Sequence, residues 1–153
     1  MKFFDYSNDN DPDNSGVLTV LSGLTDDDWK ALVKYAQTIR FKQGEMLLHA
    51  GETDNCVYIL VSGRVEVIGK GRFGAEKSIA EIDEGSVFGE LAFFDEQPRS
   101  AGIRAITDGD VLLLTHTGFD QLAAWNPSLA RLLLFELGRV LAYRFRRATA
   151  SII

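Results

Sequence analysis

The chain has 153 residues, of which 46% are hydrophobic, so it is long enough to bury the core of one compact domain. Its formal net charge of −6 gives no general attraction to nucleic acid or to an anionic membrane. One cysteine and two histidines argue against an internal disulfide, an iron–sulfur site and a conventional zinc site. The N-terminus lacks the pattern of a signal peptide, and no apolar stretch approaches the ~20 residues that span a bilayer, so we expect a cytoplasmic protein.

The first elements in chain order are an acidic tail and a short helix. Residues 5–16 are acidic, poor in apolar residues and interrupted by Pro12, which predicts a flexible tail over residues 1–16 ahead of one domain over residues 17–153. Thr25 is a suitable N-cap, and the three aspartates that follow it complement a helix dipole. Trp29 recurs with later apolar residues at helical spacing, so we interpret it as a packing residue.

The segment over about residues 39–115 has the pattern of β-structure. Short apolar runs, many rich in β-branched residues, alternate with turns such as Ser62-Gly63 and Asp108-Gly109. Strands at this spacing predict a small antiparallel barrel or sandwich. The string "GKGRFG" matches the glycine pattern of dinucleotide-binding loops, but too few residues follow it for a crossover helix, so we interpret it as a hairpin turn.

Two helices are predicted over about residues 117–149. Pro127 suits the first turn of the second helix, which carries an apolar stripe widened by Leu134 and Phe135. Two interpretations stay open: the helix packs simply on its own domain, or it offers a second face to a partner chain. The helix ends with basic residues, whose charge is favourable at the negative end of the dipole: Arg144, Arg146 and Arg147.

The stretch "FGELAFFDEQPRSAGIRA", residues 88–105, combines a carboxylate, Glu90, with a guanidinium, Arg99. Gly89 permits a tight bend before a one-turn helix, whose free backbone N–H groups suit an anion. Arginine and N–H donors bind phosphate, whereas a carboxylate accepts hydrogen bonds from hydroxyl groups. A ligand with one phosphate and a nearby sugar hydroxyl satisfies both demands, but a surface ion pair worth ~0–1 kcal/mol explains the two residues equally well.

No arrangement in the sequence is typical of an enzyme. The chain has no G-x-S-x-G nucleophile elbow, and neither histidine lies beside a nucleophile in a recognisable local setting. Cys56 lies within an apolar run and is interpreted as a core residue. We therefore expect no catalysis, no metal and no cofactor.

The stretch over residues 88–105 resembles the phosphate-binding cassette of the cyclic nucleotide-binding domain family, whose pattern is roughly F-G-E-[LI]-[AG]…P-R-[STA]-A. The string "LSGLTDDDWKAL" resembles the leading helix of that family, and "WNPSLARLLLFELGRVLAYRFRR" resembles its C-terminal helix. The resemblance implies a mainly β fold, an antiparallel β-roll or jelly-roll barrel. Flanking helices are implied too: an N-terminal helix, a short cassette helix and a long C-terminal helix.

The resemblance also implies roles for individual residues. Glu90 is expected to accept the ribose 2′-hydroxyl, and Arg99 to pair with the equatorial oxygen of the cyclic phosphate. Further phosphate contacts are expected from Gly89, Leu91, Ala92 and Ser100. An apolar lining of the base pocket is expected from Val67, Ile79 and Ile82.

The base is assigned from the C-terminal helix. An ungapped alignment from Asn126-Pro127 brings Arg144 and Phe145 to the family's base-contacting positions. An arginine suits the O6 and N7 acceptors of guanine, whereas a phenylalanine caps either purine. Ser100 in place of alanine also leaves cyclic GMP open, but the general bacterial character of the sequence favours cyclic AMP.

These features predict a stand-alone cyclic nucleotide sensor for signal transduction, with cyclic AMP favoured and cyclic GMP open. Ligand binding is expected to move the C-terminal helix and so to regulate an unidentified partner protein. A homodimer through this helix is one expected assembly, and neither membrane binding nor direct DNA binding is expected. The alternatives are a protein-interaction scaffold and the sensor part of a transcription regulator whose DNA-binding domain is elsewhere.

Overall fold

The structure, a computed structural model, describes residues 23–150, so the predicted acidic tail over residues 1–16 lies outside the described residues. The described chain begins with a helix, continues through eight strands with one short helix between them, and ends with two helices. The helices are α1 (Asp26–Tyr35), α2 (Glu90–Asp95), α3 (His116–Trp125) and α4 (Pro127–Ala150). The strands are β1 (Gln37–Phe41), β2 (Met46–Leu48), β3 (Val57–Ser62), β4 (Val65–Lys70), β5 (Glu76–Ile82), β6 (Val87–Phe88), β7 (Gly102–Ala105) and β8 (Gly109–Leu114).

The strands form two four-stranded sheets in which every pairing is antiparallel. One sheet has the order β1-β8-β3-β6, and the other has the order β2-β7-β4-β5. This arrangement confirms the predicted mainly β fold with flanking helices. The string "GKGRFG" lies at the β4–β5 hairpin, whose tip is a 3₁₀ turn over Arg72–Gly74.

Local sequence explains how α1 begins. The Thr25 hydroxyl accepts a hydrogen bond from the Asp28 N–H at 3.1 Å, and the Asp28 carboxylate accepts one from the Thr25 N–H at 3.0 Å. This reciprocal capping box satisfies two backbone donors that the first turn leaves unpaired. On the inner face of the helix, Leu32 is fully buried and Trp29 packs against the core as predicted.

The apolar interior is divided into two clusters. The first lies between the helices and the β3–β6–β8 side, where α4 contributes Leu129, Leu133, Leu137 and Val140. The second lies between the two sheets and includes Phe41, Leu60, Val65, Ile82 and Phe88. Burial of these side chains holds the sheets together, because apolar surface removed from water stabilises by ~25 cal/mol per Å².

Helix α4 has one buried and one exposed face. Its buried residues recur at helical spacing from Leu129 to Ala148, whereas Leu134, Phe135 and Phe145 are exposed. Of the three arginines predicted to end the helix, Arg147 is in its last turn, whereas Arg144 lies on the buried face with 1% exposure. Within residues 23–150, no helix has the length and apolar character needed to cross a bilayer.

Candidate functional site

A cavity of about 660 Å³ opens between the α2 segment and the β4–β5 hairpin. Its volume falls within the roughly 300–1,000 Å³ that small-molecule sites occupy. Seven of the predicted site residues line it: Val67, Ile79, Gly89, Leu91, Ala92, Arg99 and Ser100. The other three, Glu90, Ile82 and Arg144, are not among its lining residues; Ile82 is part of the apolar core between the sheets.

Gly89 lies between β6 and α2 and is required there by both conformation and space. Its φ of 78° is in the left-handed region, where side chains other than hydrogen are strained. A Cβ at this position would lie 2.6 Å from Nη1 of Arg99 and 3.1 Å from the carbonyl oxygen of Cys56. The glycine therefore lets the backbone approach the Arg99 guanidinium closely enough to accept a hydrogen bond from it.

Arg99 is held by a dense set of acceptors. Its Nη1 donates to the Gly89 carbonyl at 2.7 Å, and its Nη2 donates to the Cys56 carbonyl at 2.7 Å and to the Asp54 carboxylate. Its Nε also points at Asp54, at 3.4 Å. These bonds use four of the five N–H donors of a guanidinium, so one Nη1 donor has no partner among the described residues. Because Arg99 lines the cavity, its planar group is pre-positioned for an anion there.

Glu90 and Arg144 form a second charged pair, which is fully buried. Nη1 of Arg144 donates to Oε1 of Glu90 at 2.6 Å, and the two side chains are 1% and 0% exposed. Nη2 of Arg144 also donates to the Ser86 hydroxyl at 3.1 Å and to the Val87 carbonyl at 3.0 Å. The predicted base reader therefore lies behind the cassette and ties helix α4 to the first residue of α2.

The second carboxylate oxygen of Glu90 differs from the first. Oε2 is buried and has no hydrogen-bond partner within the described part of the chain. A buried acceptor without a donor costs free energy, on the order of 1–3 kcal/mol. This oxygen is thus an acceptor that is still able to take a hydrogen bond.

Burial raises the pKa of two side chains near Arg99, those of Tyr58 and Cys56. The pKa of the Tyr58 hydroxyl is raised, chiefly by burial and also by the Asp54 carboxylate, 3.3 Å from the hydroxyl. Burial likewise raises the pKa of the Cys56 thiol, with Asp54 adding to the effect. A thiol kept protonated is a poor nucleophile, which agrees with a structural role for Cys56.

Sequence reasoning missed Asp54 and the cations of the hairpin. Asp54 is the counter-charge of Arg99, yet 45 residues separate them and nothing local marks the acid. Three more cations line the cavity from the hairpin: Lys70, Arg72 and Lys77. Of these, Lys77 carries a local signal, because strand alternation places it on the face of Ile79, two residues later. In residues 23–150, no group of three or more His, Cys, Asp or Glu side chains is placed to hold a metal ion.

The fold and the cavity together define a ligand-binding β-roll with an arginine-anchored cassette. A family model described as Cyclic nucleotide-binding domain matches residues 38–126, which is more than half of the chain. The chain belongs to the cyclic nucleotide-binding domain family, as the cassette resemblance predicted. The family is a regulatory ligand-binding domain.

The similar proteins include a regulatory subunit of a protein kinase and a transcriptional regulator. A cAMP-dependent protein kinase regulatory subunit from Emericella nidulans is 33% identical over 69% of this chain and 25% of its own length. A CRP-like cAMP-activated global transcriptional regulator from Mycobacterium tuberculosis is 30% identical over 80% of this chain and 53% of its own. The chain therefore spans about a quarter to about half of the length of these relatives.

Solved structures support the same fold. The catabolite activator protein of Thermus thermophilus has a TM-score of 0.75 at 27% identity, covering 86% of this chain and 60% of its own. A cyclic nucleotide-binding domain from Methylobacillus flagellatus has a TM-score of 0.77 at 26% identity, covering 89% and 78%. The overall fold is thus shared across these proteins.

Proposed function

We propose that this chain is a non-catalytic cytoplasmic sensor that binds a cyclic mononucleotide in the cavity and transmits binding through helix α4 to a partner protein. The observation that carries the proposal is the pair of buried cassette charges. Arg99 faces the cavity with a free donor, while Glu90 is joined to α4 by Arg144. One ligand that engages both residues therefore acts on the barrel and on the helix together.

The phosphate end of the ligand is assigned to Arg99. Its guanidinium is 6% exposed and already carries Asp54 as counter-charge, so a phosphate enters a site whose charges are fixed in place. Ser100 and the backbone of Gly89, Leu91 and Ala92 line the same region. The sugar hydroxyl is assigned to Glu90, whose unpartnered Oε2 supplies an acceptor.

The proposed helix response depends on the Glu90 carboxylate, which binds Arg144 through Oε1 and is proposed to bind the ligand hydroxyl through Oε2. A ligand shifts a conformational equilibrium only by contacts that differ between its states. A hydroxyl that donates to Oε2 of Glu90 draws negative charge away from Oε1, the oxygen that Arg144 binds, and Arg144 belongs to α4. Binding of the nucleotide is therefore expected to alter how firmly the C-terminal half of α4 is held against the cassette.

The outer face of α4 supports a homodimer as one form of the partner interface. Leu134, Phe135 and Phe145 are 39%, 60% and 54% exposed on a helix whose other face is fully packed. Covering these side chains with a second copy of the helix would remove apolar surface from water. Sedimentation of the wild-type chain and of Phe135→Glu checks this, and an unchanged monomer mass in both would exclude the dimer.

Titration calorimetry with cyclic AMP and with cyclic GMP tests the ligand. The wild type is expected to bind at least one of them well below millimolar concentration, and Arg99→Gln is expected to weaken it by at least ~30-fold. Arg40→Gln is the matched control, because Arg40 is an exposed arginine of β1. Absence of binding to both nucleotides, or equal binding by Arg99→Gln, would overturn the proposal.

Hydrogen exchange tests the helix response. Amides in the last two turns of α4 are expected to change their exchange on nucleotide addition in the wild type. The change is expected to be lost in Arg144→Met, because this variant keeps the apolar stem and removes the contact with Glu90. Retention of the full change in Arg144→Met would contradict coupling through this pair.

A further inference from the structure

We infer that the β4–β5 hairpin selects the base of the nucleotide, with Lys77 as the main specificity-determining residue and guanine as the preferred base. The inference rests on the proposed nucleotide site and names the base that this site takes. It moves base selection from Arg144 to the hairpin, since Arg144 is buried against Glu90 and is not a lining residue of the cavity.

In the hairpin, two glycines lie beneath the longer side chains of β5. Gly69 is the register partner of Lys77 in the β4–β5 pair, and Gly71 is the first residue after β4. A Cβ at Gly71 would lie 3.5 Å from Cβ and 3.8 Å from Cδ of Lys77, so the stem of the lysine already lies across this glycine. A Cβ at Gly69 would lie 3.4 Å from Ile79 in the same way. The two glycines therefore let the side chains of Lys77 and Ile79 lie against the backbone of the hairpin.

The charged side chains that line the cavity from the hairpin are all cations. Lys70, Arg72 and Lys77 line the cavity from the hairpin, and no salt bridge joins any of them to another residue of the described chain. Lysine and arginine side chains are donors only. The ionised acceptor that lines the cavity, Asp95, comes from α2 on the opposite wall, and its Oδ1 already accepts the Gln97 N–H at 3.0 Å.

Cationic side chains, which donate and do not accept, distinguish the two purines. Guanine presents two adjacent acceptors, O6 and N7, to a lysine or arginine. Adenine presents the N7 acceptor beside an N6 amino donor, which faces the same cations without a partner. The apolar floor of Val67 and Ile79 holds either ring equally, so the discrimination comes from the cations. This reasoning favours cyclic GMP, against the preference for cyclic AMP predicted from the sequence.

The test is titration calorimetry of the full chain with cyclic AMP, cyclic GMP and the 7-deaza analogue of cyclic GMP, which lacks the N7 acceptor. The wild type is expected to bind cyclic GMP about 5- to 100-fold more tightly than cyclic AMP. The 7-deaza analogue is expected to lose most of this advantage. Lys77→Met keeps the length of the stem and is expected to reduce the preference to within about twofold, with affinity for cyclic AMP nearly unchanged.

Two further variants remove the ambiguities. Lys30→Met, an exposed lysine of α1 outside the cavity, is the matched control and is expected to leave the preference unchanged. The triple variant Lys70→Met, Arg72→Met and Lys77→Met tests whether neighbours substitute for Lys77, and it too is expected to lose the preference.

Two results would overturn the inference. A wild type that binds cyclic AMP as tightly as cyclic GMP would overturn the assignment while leaving the proposed nucleotide site intact. An equal loss of affinity for both nucleotides in the triple variant would show that the cations act only as a general positive field. Failure of the wild type to bind either nucleotide is a different outcome, because it overturns the nucleotide site itself.

Discussion

The cassette and the β4–β5 hairpin are two walls of one cavity, and they are built on opposite principles. In the cassette, the two charges proposed to contact the ligand are buried, and each has an ionic partner: Arg99 with Asp54, and Glu90 with Arg144. In the hairpin, the cations are exposed, and Phe73 at the tip is fully exposed in a left-handed conformation with φ of 64°.

Because of this difference, we expect the cassette to contribute to folding stability and the hairpin to contribute to ligand selectivity. Buried pairs are costly to break, because the remaining partner stays desolvated and uncompensated. Exposed side chains contribute little to folding, so they are free to vary with the ligand. We expect substitutions in the cassette to change both folding and binding, and substitutions in the hairpin to change binding alone.

The largest effect is expected from breaking the buried pair on the cassette side. Arg144→Ala leaves the Glu90 carboxylate without its donor and should lower the free energy of unfolding by ~3–5 kcal/mol. Urea unfolding measures the loss. Arg146→Ala, at an exposed position of the same helix, should stay within ~0.5 kcal/mol of the wild type. Equal unfolding midpoints for the two variants would place Arg144 outside the folded core.

The next effect concerns the bend that brings the cassette to Arg99. Gly89→Ala combines left-handed strain with a Cβ 2.6 Å from Nη1 of Arg99, for a combined cost of ~2–4 kcal/mol. Gly74→Ala is the matched control, because Gly74 has φ of 76° with nothing within 4 Å of its added Cβ. That variant should cost only the strain, about 1 kcal/mol. Identical losses in thermal or urea unfolding would mean that close approach to Arg99 is unimportant.

A smaller effect is expected at alkaline pH. The pKa of the Tyr58 hydroxyl is raised from its ordinary value of 10.0, so the folded state keeps a proton that the unfolded state releases first. Its contribution is present below pH 10 and is lost as pH rises toward the higher folded pKa, by no more than ~1.4 kcal/mol per pH unit. Unfolding of Tyr58→Phe should therefore depend less steeply on pH above 10 than that of the wild type. Tyr35→Phe serves as the control, and a slope unchanged by Tyr58→Phe would refute this linkage.

The smallest effect is expected on the opposite wall. Phe73→Ala removes a ring that is fully exposed at the hairpin tip, so the free energy of unfolding should change by less than ~0.5 kcal/mol. Urea unfolding alongside Gly89→Ala makes the contrast direct. If Phe73→Ala lowered the free energy of unfolding as much as Gly89→Ala, the two walls would not differ in their contribution to stability.

Much of the fold was predictable because its signals are local. The helix cap of α1, the turn glycines and the short apolar runs between them act between near neighbours, and each produced the expected element. The cassette was predictable for the same reason, since Gly89 and Arg99 lie within one short stretch. Seven of the residues assigned by resemblance line one cavity, whereas Ile82 packs into the core between the sheets.

The partners of the charged residues were not predictable. Arg144 was assigned to the base from its position along α4, but 54 residues of chain separate it from the carboxylate that it binds. No local pattern encodes such a pairing, because it depends on where a helix docks after the sheets have formed.

By itself, the sequence determined that this chain forms an antiparallel β-roll with a nucleotide-type cassette, since propensity, turn chemistry and motif all act over a few residues. Only the tertiary structure decided which charge meets which. Docking of α4 brought Arg144 to Glu90, and closure of the sheets brought Asp54 to Arg99 and the hairpin cations to the cavity. Electrostatic partners are chosen by distance in space, and buried charges require one within a few ångströms.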